Sequence, residues 1–315
     1  MPAAFHLIYT QINGLSPIII IFEILTWHLI SFLMTFGVCP LSVVPIRSSA
    51  SDKSEMVSQL LFGELFEVLE TKGRKWWKIR CENDNYVGWV VSHQVKPVTP
   101  TEFDGYQNRF AYNLELMQAV MAKDHFLPIT LGARLPNFDG MRFYLGEAIY
   151  TFSGQAVFPA DIEINSDFII KLARRYLQAP YLWGGRSPFG IDSSGLIQVV
   201  FQMAGIPMPR EPQQQLETGT AVDFIEQTLP GDLAFFENRK GRIAHVGLIL
   251  PEGGLLHVHG KVRIDKLDHY GAYNEEDGRY THRLRLVKRI LPPIPQQNKT
   301  TGTEETSISR QAELF

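Results

Sequence analysis

Histidines on two neighbouring predicted strands have the clearest capacity for chemistry in this sequence. One strand contains His245, and the next contains His257 and His259. Side chains alternate between the faces of a strand, so His245 shares a face with Gly247, and His257 shares a face with His259. Neighbouring strands lie about 4.8 Å apart, so the imidazole of His257 can orient that of His245, as the third member of a catalytic triad does.

A serine upstream of these strands could supply the nucleophile. Residues 192–195 read Asp-Ser-Ser-Gly and lead into an apolar run, so we expect a helix to begin at Asp192 or Ser193. The unpaired N–H groups and the dipole at a helix N-terminus stabilise an anionic nucleophile or an oxyanion. By itself, the pattern also fits an ordinary helix N-cap. A catalytic pair requires the side chains of Ser193 and His245 to lie within about 4 Å of each other.

The elements that must position these residues belong to the last of several predicted units. Residues 161–292 predict a domain of mixed helix and strand, and the helical spacing of apolar residues predicts that it opens with a helix from Ser166 to Leu177. Residues 41–100 contain short strands separated by turn residues, which predict a small β-barrel. Residues 101–160 predict a second β-rich unit, with a helix around Asn113–Met121.

The two ends of the chain differ from these units. Residues 1–40 form an apolar N-terminal segment, and the 21 residues from Ile18 to Val38 are long enough to cross a bilayer. No Lys or Arg precedes Arg47, so the basic start of a secretory signal is lacking. A membrane anchor, an atypical signal, a buried helix and an extension outside the working protein all stay open. Residues 293–315 are rich in Pro, Gln, Thr and Glu and are predicted to be disordered.

The composition excludes several classes of protein. Hydrophobic residues make up 45% and charged residues 20%, values typical of soluble globular chains rather than of disordered, collagenous or polytopic membrane proteins. The 30 Lys and Arg against 33 Asp and Glu form no basic stripe, so no nucleic-acid partner is expected. Cys39 and Cys81 cannot make a disulfide framework and are predicted to be buried free thiols.

Short motifs in a fixed order connect the candidate residues to a known family. The motifs are Pro-Tyr-Leu-Trp-Gly-Gly from Pro180, Gly-Ile-Asp-Ser-Ser-Gly-Leu from Gly190, Pro-Gly-Asp-Leu-Ala-Phe-Phe from Pro230, Ala-His-Val-Gly from Ala244, and the downstream His257. In this order they resemble the NlpC family of bacterial cell-wall peptidases, over about residues 165–290. The upstream Trp-Lys-Ile-Arg and Tyr-Val-Gly-Trp-Val segments are similar to bacterial SH3-like modules, and residues 101–160 are expected to form a second SH3-like or β-rich module. The resemblance implies an α+β fold: a papain-like NlpC peptidase domain preceded by SH3-like β-barrel modules.

The same resemblance implies a reaction and a role for each matched residue. Members of the family cleave peptidoglycan stem peptides. In the members that this domain order resembles most, the bond cut follows γ-D-glutamate and precedes a diamino acid, and a free N-terminal L-Ala is often required. By position, Ser193 occupies the nucleophile site, His245 the general-base site and His257 the orienting site. The positions where the family binds the L-Ala-γ-D-Glu portion or supports the oxyanion are Tyr181, Asp192 and Ser194. No cofactor and no metal are implied.

The nucleophile position departs from the family pattern, which has Cys where this chain has Ser193. A thiol can be ionised at neutral pH by a helix terminus and an imidazolium, whereas an alcohol must lose its proton to His245 during the attack. We therefore expect impaired activity, and two functions stay open: hydrolysis of the γ-D-glutamyl-diamino acid bond, and binding of the same muropeptides without cleavage. From pattern alone, a third is a zinc hydrolase with His245, His257 and His259 as ligands.

The predicted organisation also has consequences for access and location. We expect the SH3-like part to pack beside the peptidase groove and to narrow one end, so that only short stem peptides with a free amino end fit. Membrane association through residues 18–38 stays open, and the excess of Lys and Arg after that segment would then place the body in the cytoplasm. For a bacterial chain of this kind, the locations left open are the cytoplasm, a membrane anchor and the cell envelope.

Overall fold

Antiparallel strands form the first module of the computed structural model, which describes residues 35–291. The strands are β1 (Thr35–Val38), β2 (Val43–Arg47), β3 (Met56–Leu61), β4 (Leu65–Lys72), β5 (Trp76–Cys81), β6 (Val87–Val91) and β7 (Lys96–Val98). They lie in the order β3-β2-β6-β5-β4-β1-β7. Cys39 and Cys81 are buried and free in this module, as predicted, and burial raises the pKa of both thiols.

The last residues of the predicted N-terminal apolar segment belong to the first module. Thr35–Val38, the last four residues of the predicted membrane span, form β1 and pair with β4 and β7. Val38 is fully buried in an apolar core. Because its side chain is buried against other apolar residues, a strand here can be as apolar as a membrane-spanning helix. The rest of that segment and the predicted C-terminal tail from residue 293 lie outside the described residues. Between residues 35 and 291, no helix combines the length and apolarity needed to cross a membrane.

The second module is a β-rich unit that follows a short helix. It comprises α1 (Pro100–Asn108), β8 (Phe110–Asn113), β9 (Met117–Met121), β10 (Phe126–Thr130), β11 (Arg134–Pro136), β12 (Arg142–Leu145), β13 (Ala148–Thr151) and β14 (Ala156–Val157). The predicted helix around Asn113–Met121 is wrong, because these residues end β8 and form β9. Along β9 the exposed Met117, Ala119 and Met121 alternate with the more buried Gln118 and Val120, the period of two that is typical of a strand, and β9 pairs with β10.

The third module contains the helices and strands that carry the candidate site. They are α2 (Ser166–Arg175), β15 (Arg186–Ser187), β16 (Gly190–Ile191), α3 (Ser193–Met203), α4 (Pro212–Gln215), β17 (Thr220–Val222), β18 (Leu233–Glu237), β19 (Ile243–Ile249), β20 (Gly254–His259), β21 (Lys261–Leu267), β22 (Gly271–Asn274) and β23 (Arg279–Arg289). The sheet order is β17-β23-β18-β19-β20-β21-β22, and β22 also pairs with β23, so β18 to β23 close into a ring.

Helix α3 packs its apolar side chains into the core of this module. Leu196, Ile197 and Val200 are buried in one cluster with Val246 and Leu248 of β19. Burying such side chains stabilises the fold by roughly 1.5–3 kcal/mol each, so the contact between α3 and β19 is strongly fixed. The start of α3 is thereby held against the strand that contains His245, and the α+β class predicted for this part of the chain is confirmed.

A buried ion pair joins the first module to the third. Glu64 and Arg186 make two hydrogen bonds of 2.7 and 2.9 Å, and their side chains are only 2% and 3% exposed. Arg186 also donates from its backbone N–H to Gln59 Oε1 at 2.7 Å and from its side chain to the Gln59 carbonyl at 2.6 Å. A buried charge that loses its partner is costly, so these contacts fix the first module beside the start of α3.

Candidate active site

The N-terminus of α3 presents Ser193 as the sequence predicts. Ser193 is the first helical residue, and Asp192 is the N-cap whose carboxylate accepts a hydrogen bond from Gly195 N–H at 2.7 Å. Gly195 is required by packing, because a Cβ there would lie 2.3 Å from the carbonyl oxygen of Gly185. The motif therefore combines a helix cap with a close backbone contact, and it holds Ser193 at the positive end of the helix dipole.

A buried arginine organises the residues on either side of Ser193. Arg210 donates to both carboxylate oxygens of Asp192, at 3.0 and 2.5 Å, and to Ser194 Oγ at 2.9 Å. Its Nε donates to Ser58 Oγ of the first module at 3.2 Å. Asp192 and Ser194 are thus held rigidly at the groove. Sequence reasoning missed Arg210, because its neighbours Pro209 and Glu211 carry no pattern that separates it from a surface arginine.

A chain of hydrogen bonds runs from His245 into the protein interior. His245 Nε2 lies 3.0 Å from His257 Nδ1, and His257 Nε2 lies 3.0 Å from Asp265 Oδ2. The prediction that His257, rather than His259, contacts His245 is confirmed. Gly247 makes the contact sterically feasible, because a Cβ at that position would lie 3.0 Å from the Cβ of His257.

The carboxylate at the end of the chain sets the positions of the protons. Burial opposes ionisation of Asp265, but hydrogen bonds from His257 and Arg263 outweigh it and hold the pKa of Asp265 below its ordinary value. An ionised Asp265 only accepts, so His257 carries its proton on Nε2 and accepts at Nδ1 from the Nε2–H of His245. The lone pair of His245 is therefore on Nδ1, the nitrogen free to take a proton from a nucleophile.

Burial and a further histidine keep His245 neutral. Burial, followed by the imidazoles of His282, His257 and His259, lowers the pKa of His245 well below its ordinary value. His282 stacks on His245 with 3.9 Å between ring centroids, and burial lowers its own pKa to about 3. The sequence alone did not single out His282 or Asp265. His282 is a histidine on β23, the strand that closes the ring, and Asp265 lies on β21, which pairs with the strand of His257.

The histidines that approach one another differ from the set predicted for a metal. One nitrogen from each of His245, His257 and His282 lies within 4.8 Å of the others. His259, the third ligand of the predicted zinc alternative, is outside this cluster, and its ring lies 6.5 Å from that of His257. The reason is the strand geometry: His259 lies beyond His257 at the end of β20, whereas His282 reaches the cluster from β23.

A groove of about 1180 Å³ brings the candidate residues to one surface. The predicted residues that line it are Tyr181, Asp192, Ser193, Ser194, His245 and His259. His257 is fully buried behind His245 and does not itself line the groove. The first module contributes Glu55 and Val57 to the wall, and Glu55 accepts a hydrogen bond of 2.6 Å from the indole of Trp183.

Comparison with known proteins places this architecture in a family. The γ-D-glutamyl-L-lysine dipeptidyl-peptidase of Bacillus subtilis (strain 168) is 30% identical over 215 residues, which cover 64% of this chain and 71% of the relative. The sequence profile of the NlpC/P60 family matches residues 178–279. The chain belongs to the NlpC/P60 family. The profile named bacterial dipeptidyl-peptidase Sh3 domain matches residues 46–95, which lie within the first module.

Two further comparisons extend the match beyond the NlpC/P60 domain. A γ-D-glutamyl-L-lysine dipeptidyl-peptidase of Bacillus cereus (strain ATCC 10987 / NRS 248) is 26% identical over 234 residues, covering 66% of this chain and 68% of the relative. A solved NlpC/P60 family protein from Bacillus cereus ATCC 10987 superposes with a TM-score of 0.71 and 22% identity, and covers 82% of this chain and 100% of its own. The fold of the NlpC/P60 domain and of the modules before it is therefore shared.

Proposed function

We propose that this chain hydrolyses the bond between γ-D-glutamate and a diamino acid in peptidoglycan-derived stem peptides, with Ser193 as the nucleophile. The observation that carries the proposal is the hydrogen-bonded chain Asp265–His257–His245, which ends at the groove that Ser193 also lines. The relatives named γ-D-glutamyl-L-lysine dipeptidyl-peptidases support this substrate class.

In this mechanism, His245 Nδ1 removes the proton of Ser193 Oγ as the oxygen attacks the γ-carbonyl carbon. The N–H groups at the start of α3 stabilise the oxyanion that forms. The C–N bond then breaks, and His245 returns the proton to the leaving amine of the diamino acid. Water, deprotonated by the same nitrogen, hydrolyses the ester on Ser193 and releases the dipeptide.

The charges in the groove favour a substrate with a free amino end. Asp192 is already paired with Arg210, whereas the carboxylate of Glu55 accepts from the neutral indole of Trp183 and keeps its charge available for an ammonium group. Glu55 belongs to the first module, which forms one wall of the groove. We infer that this wall selects short peptides such as L-Ala-γ-D-Glu-L-Lys over intact cross-linked chains, and that Tyr181 borders the same part of the substrate.

Serine makes this reaction slower than a cysteine would. A neutral His245 can accept a proton during attack, but it does not hold a pre-formed alkoxide, whereas a thiol at the same helix terminus ionises at neutral pH. General-base assistance alone contributes roughly 10²–10⁴-fold. We expect Ser193→Cys to raise kcat/KM by at least about 100-fold, and Ser193→Ala to remove the residual activity.

The test measures release of L-Lys from L-Ala-γ-D-Glu-L-Lys, and of diaminopimelate from the matching tripeptide, by the chain as it stands and by the two Ser193 variants. Ser194→Cys, one residue along the helix, is the matched control and should gain no turnover. If Ser193→Cys folds and binds the tripeptide but does not cleave it, hydrolysis is refuted. The groove then serves the second candidate function, muropeptide binding without cleavage, which the missing thiol favours.

A further inference from the structure

The histidine cluster at the groove has a chemical capacity that the proposed hydrolysis does not use. Nitrogens of three histidines lie within 4.8 Å of one another, and three imidazoles with one open position are a ligand set of catalytic zinc sites. Two of the three, His245 and His282, line the groove, so an ion can reach them from solvent. We propose that His245, His257 and His282 bind one Zn²⁺ ion, and that the bound ion switches off the general base.

Hydrogen bonds behind the cluster prepare two of the ligands. His257 Nε2 donates to Asp265, so its lone pair is on Nδ1. His282 Nδ1 lies 3.0 Å from Thr281 Oγ1, whose own hydroxyl donates to the Ala272 carbonyl at 3.3 Å. Thr281 Oγ1 is thus an acceptor, which puts the proton of His282 on Nδ1 and its lone pair on Nε2. Zinc-binding histidines are held by oxygen atoms in this way, because the second nitrogen fixes tautomer and ring orientation.

The spacing of the nitrogens suits a zinc ion after a small movement. Zinc–nitrogen bonds of about 2.1 Å in a tetrahedral site place two nitrogens about 3.4 Å apart. His245 Nε2 and His257 Nδ1 are 3.0 Å apart. The nitrogen of His282 lies no more than 4.8 Å from the other two, so it needs to move by about 1.4 Å at most. His282 is stacked on His245 with 3.9 Å between ring centroids, so its ring must also turn out of the stack to point its lone pair at the ion.

Zinc binding and base catalysis exclude each other at His245. The nitrogen that faces His257 is Nε2, so an ion in the cluster takes Nε2 and displaces the proton shared with His257. A neutral imidazole bound through Nε2 carries its remaining proton on Nδ1. Nδ1 can then no longer accept the proton of Ser193. This inhibitory consequence rests on the proposed function, whereas the zinc site itself does not.

Binding is tested on the full chain without reference to activity. The chain is freed of metal with a chelator and titrated with ZnCl₂ by calorimetry, and bound zinc is counted by elemental analysis after dialysis. We expect one equivalent per chain, with the ¹⁵N resonances of the three histidine rings shifting in the titration. Asp265→Asn should weaken zinc affinity by roughly 10- to 100-fold, because the residue that orients a ligand is lost.

Variants separate this cluster from other histidines. His282→Phe preserves a ring against His245 and should abolish stoichiometric binding, and His282→Gln gives a second, polar replacement. His259→Gln and the exposed His125→Ala are controls that should bind zinc like the unaltered chain. Binding that survives both His282 variants, binding lost in the His259 variant, or a titration without a ring-nitrogen shift at His245 and His257 would each overturn the proposed site.

The inhibitory step has its own readout. Hydrolysis of the tripeptide by the unaltered chain should fall in proportion to zinc occupancy and return on addition of chelator, and the His282→Phe chain should lose this sensitivity. Undiminished hydrolysis at full occupancy refutes the exclusion at His245. A chain that shows no hydrolysis even without zinc refutes the proposed function instead, and the binding titration still decides the zinc site.

Discussion

Asp265→Asn should reverse the proton positions along the histidine chain without changing its shape. Arg263 Nε donates to Oδ1 of Asp265 at 2.8 Å, so the amide oxygen of the asparagine stays on Arg263 and its NH₂ faces His257 Nε2. His257 must then carry its proton on Nδ1, and His245 must accept at Nε2. The proton of His245 moves to Nδ1, where the mechanism needs a lone pair.

The size of the effect follows from the cost of returning to the productive tautomer. In the variant, that tautomer leaves two buried donors facing each other at His257, and an unsatisfied buried polar group costs about 1–3 kcal/mol. At about 1.36 kcal/mol per tenfold in rate, we expect kcat to fall by roughly 5- to 150-fold. KM should change little, because Asp265 contacts His257 and Arg263 rather than the substrate groove.

The assay is steady-state hydrolysis of L-Ala-γ-D-Glu-L-Lys, in the unaltered chain and in the Ser193→Cys background, with chelator present. Glu276→Gln is the matched control: Glu276 also accepts from Arg263, at 3.1 Å, but is 71% exposed, and an exposed pair contributes about 0–1 kcal/mol. Equal rates for Asp265→Asn and the unaltered chain, or an equal loss in Glu276→Gln, would refute the role of Asp265. Thermal unfolding of each variant excludes a simple loss of fold.

Three further outcomes test the structure. Arg186→Met leaves Glu64 buried without its partner and should lower the free energy of unfolding by about 3–5 kcal/mol in a urea titration. The control Glu67→Gln should lower it by only about 0–1 kcal/mol, because its partner Arg80 is half exposed. Burial and neighbouring imidazoles lower the pKa of His245, so its neutral, basic form persists below pH 6.5. The acid limb of the pH profile of kcat/KM should therefore lie below pH 6.5. An acid limb above pH 7 would contradict a neutral base. Glu55→Gln should raise KM for the free tripeptide by roughly tenfold and leave KM for its N-acetylated form unchanged. A tenfold change corresponds to about 1.4 kcal/mol for one charged contact. Equal effects on both peptides would show that Glu55 does not bind the amino group.

The parts of the site that were predictable are those governed by neighbours in the sequence. Asp192 caps a helix through an N–H three residues away, which placed Ser193 at the helix start. Alternation along β19 and β20 put His245 and His257 on faces that could meet, and the contact is now seen at 3.0 Å. The prediction of a helix failed at Met117–Met121, because these residues pair with another strand, β10.

The partners of these residues were decided by the tertiary structure alone. Arg210 reaches Asp192 from a separate loop, Asp265 reaches His257 across a strand pair, and His282 arrives from the strand that closes the ring. No local pattern marks which polar side chain will be buried, because hydrophobic periodicity reports only which face turns inward. Burial of a charge or an imidazole requires a partner, and that partner is fixed only when segments distant in the sequence pack together. The sequence therefore determined that Ser193 lies at a helix start and His245 on a strand, while packing decided the proton positions and the orientation of the histidine rings.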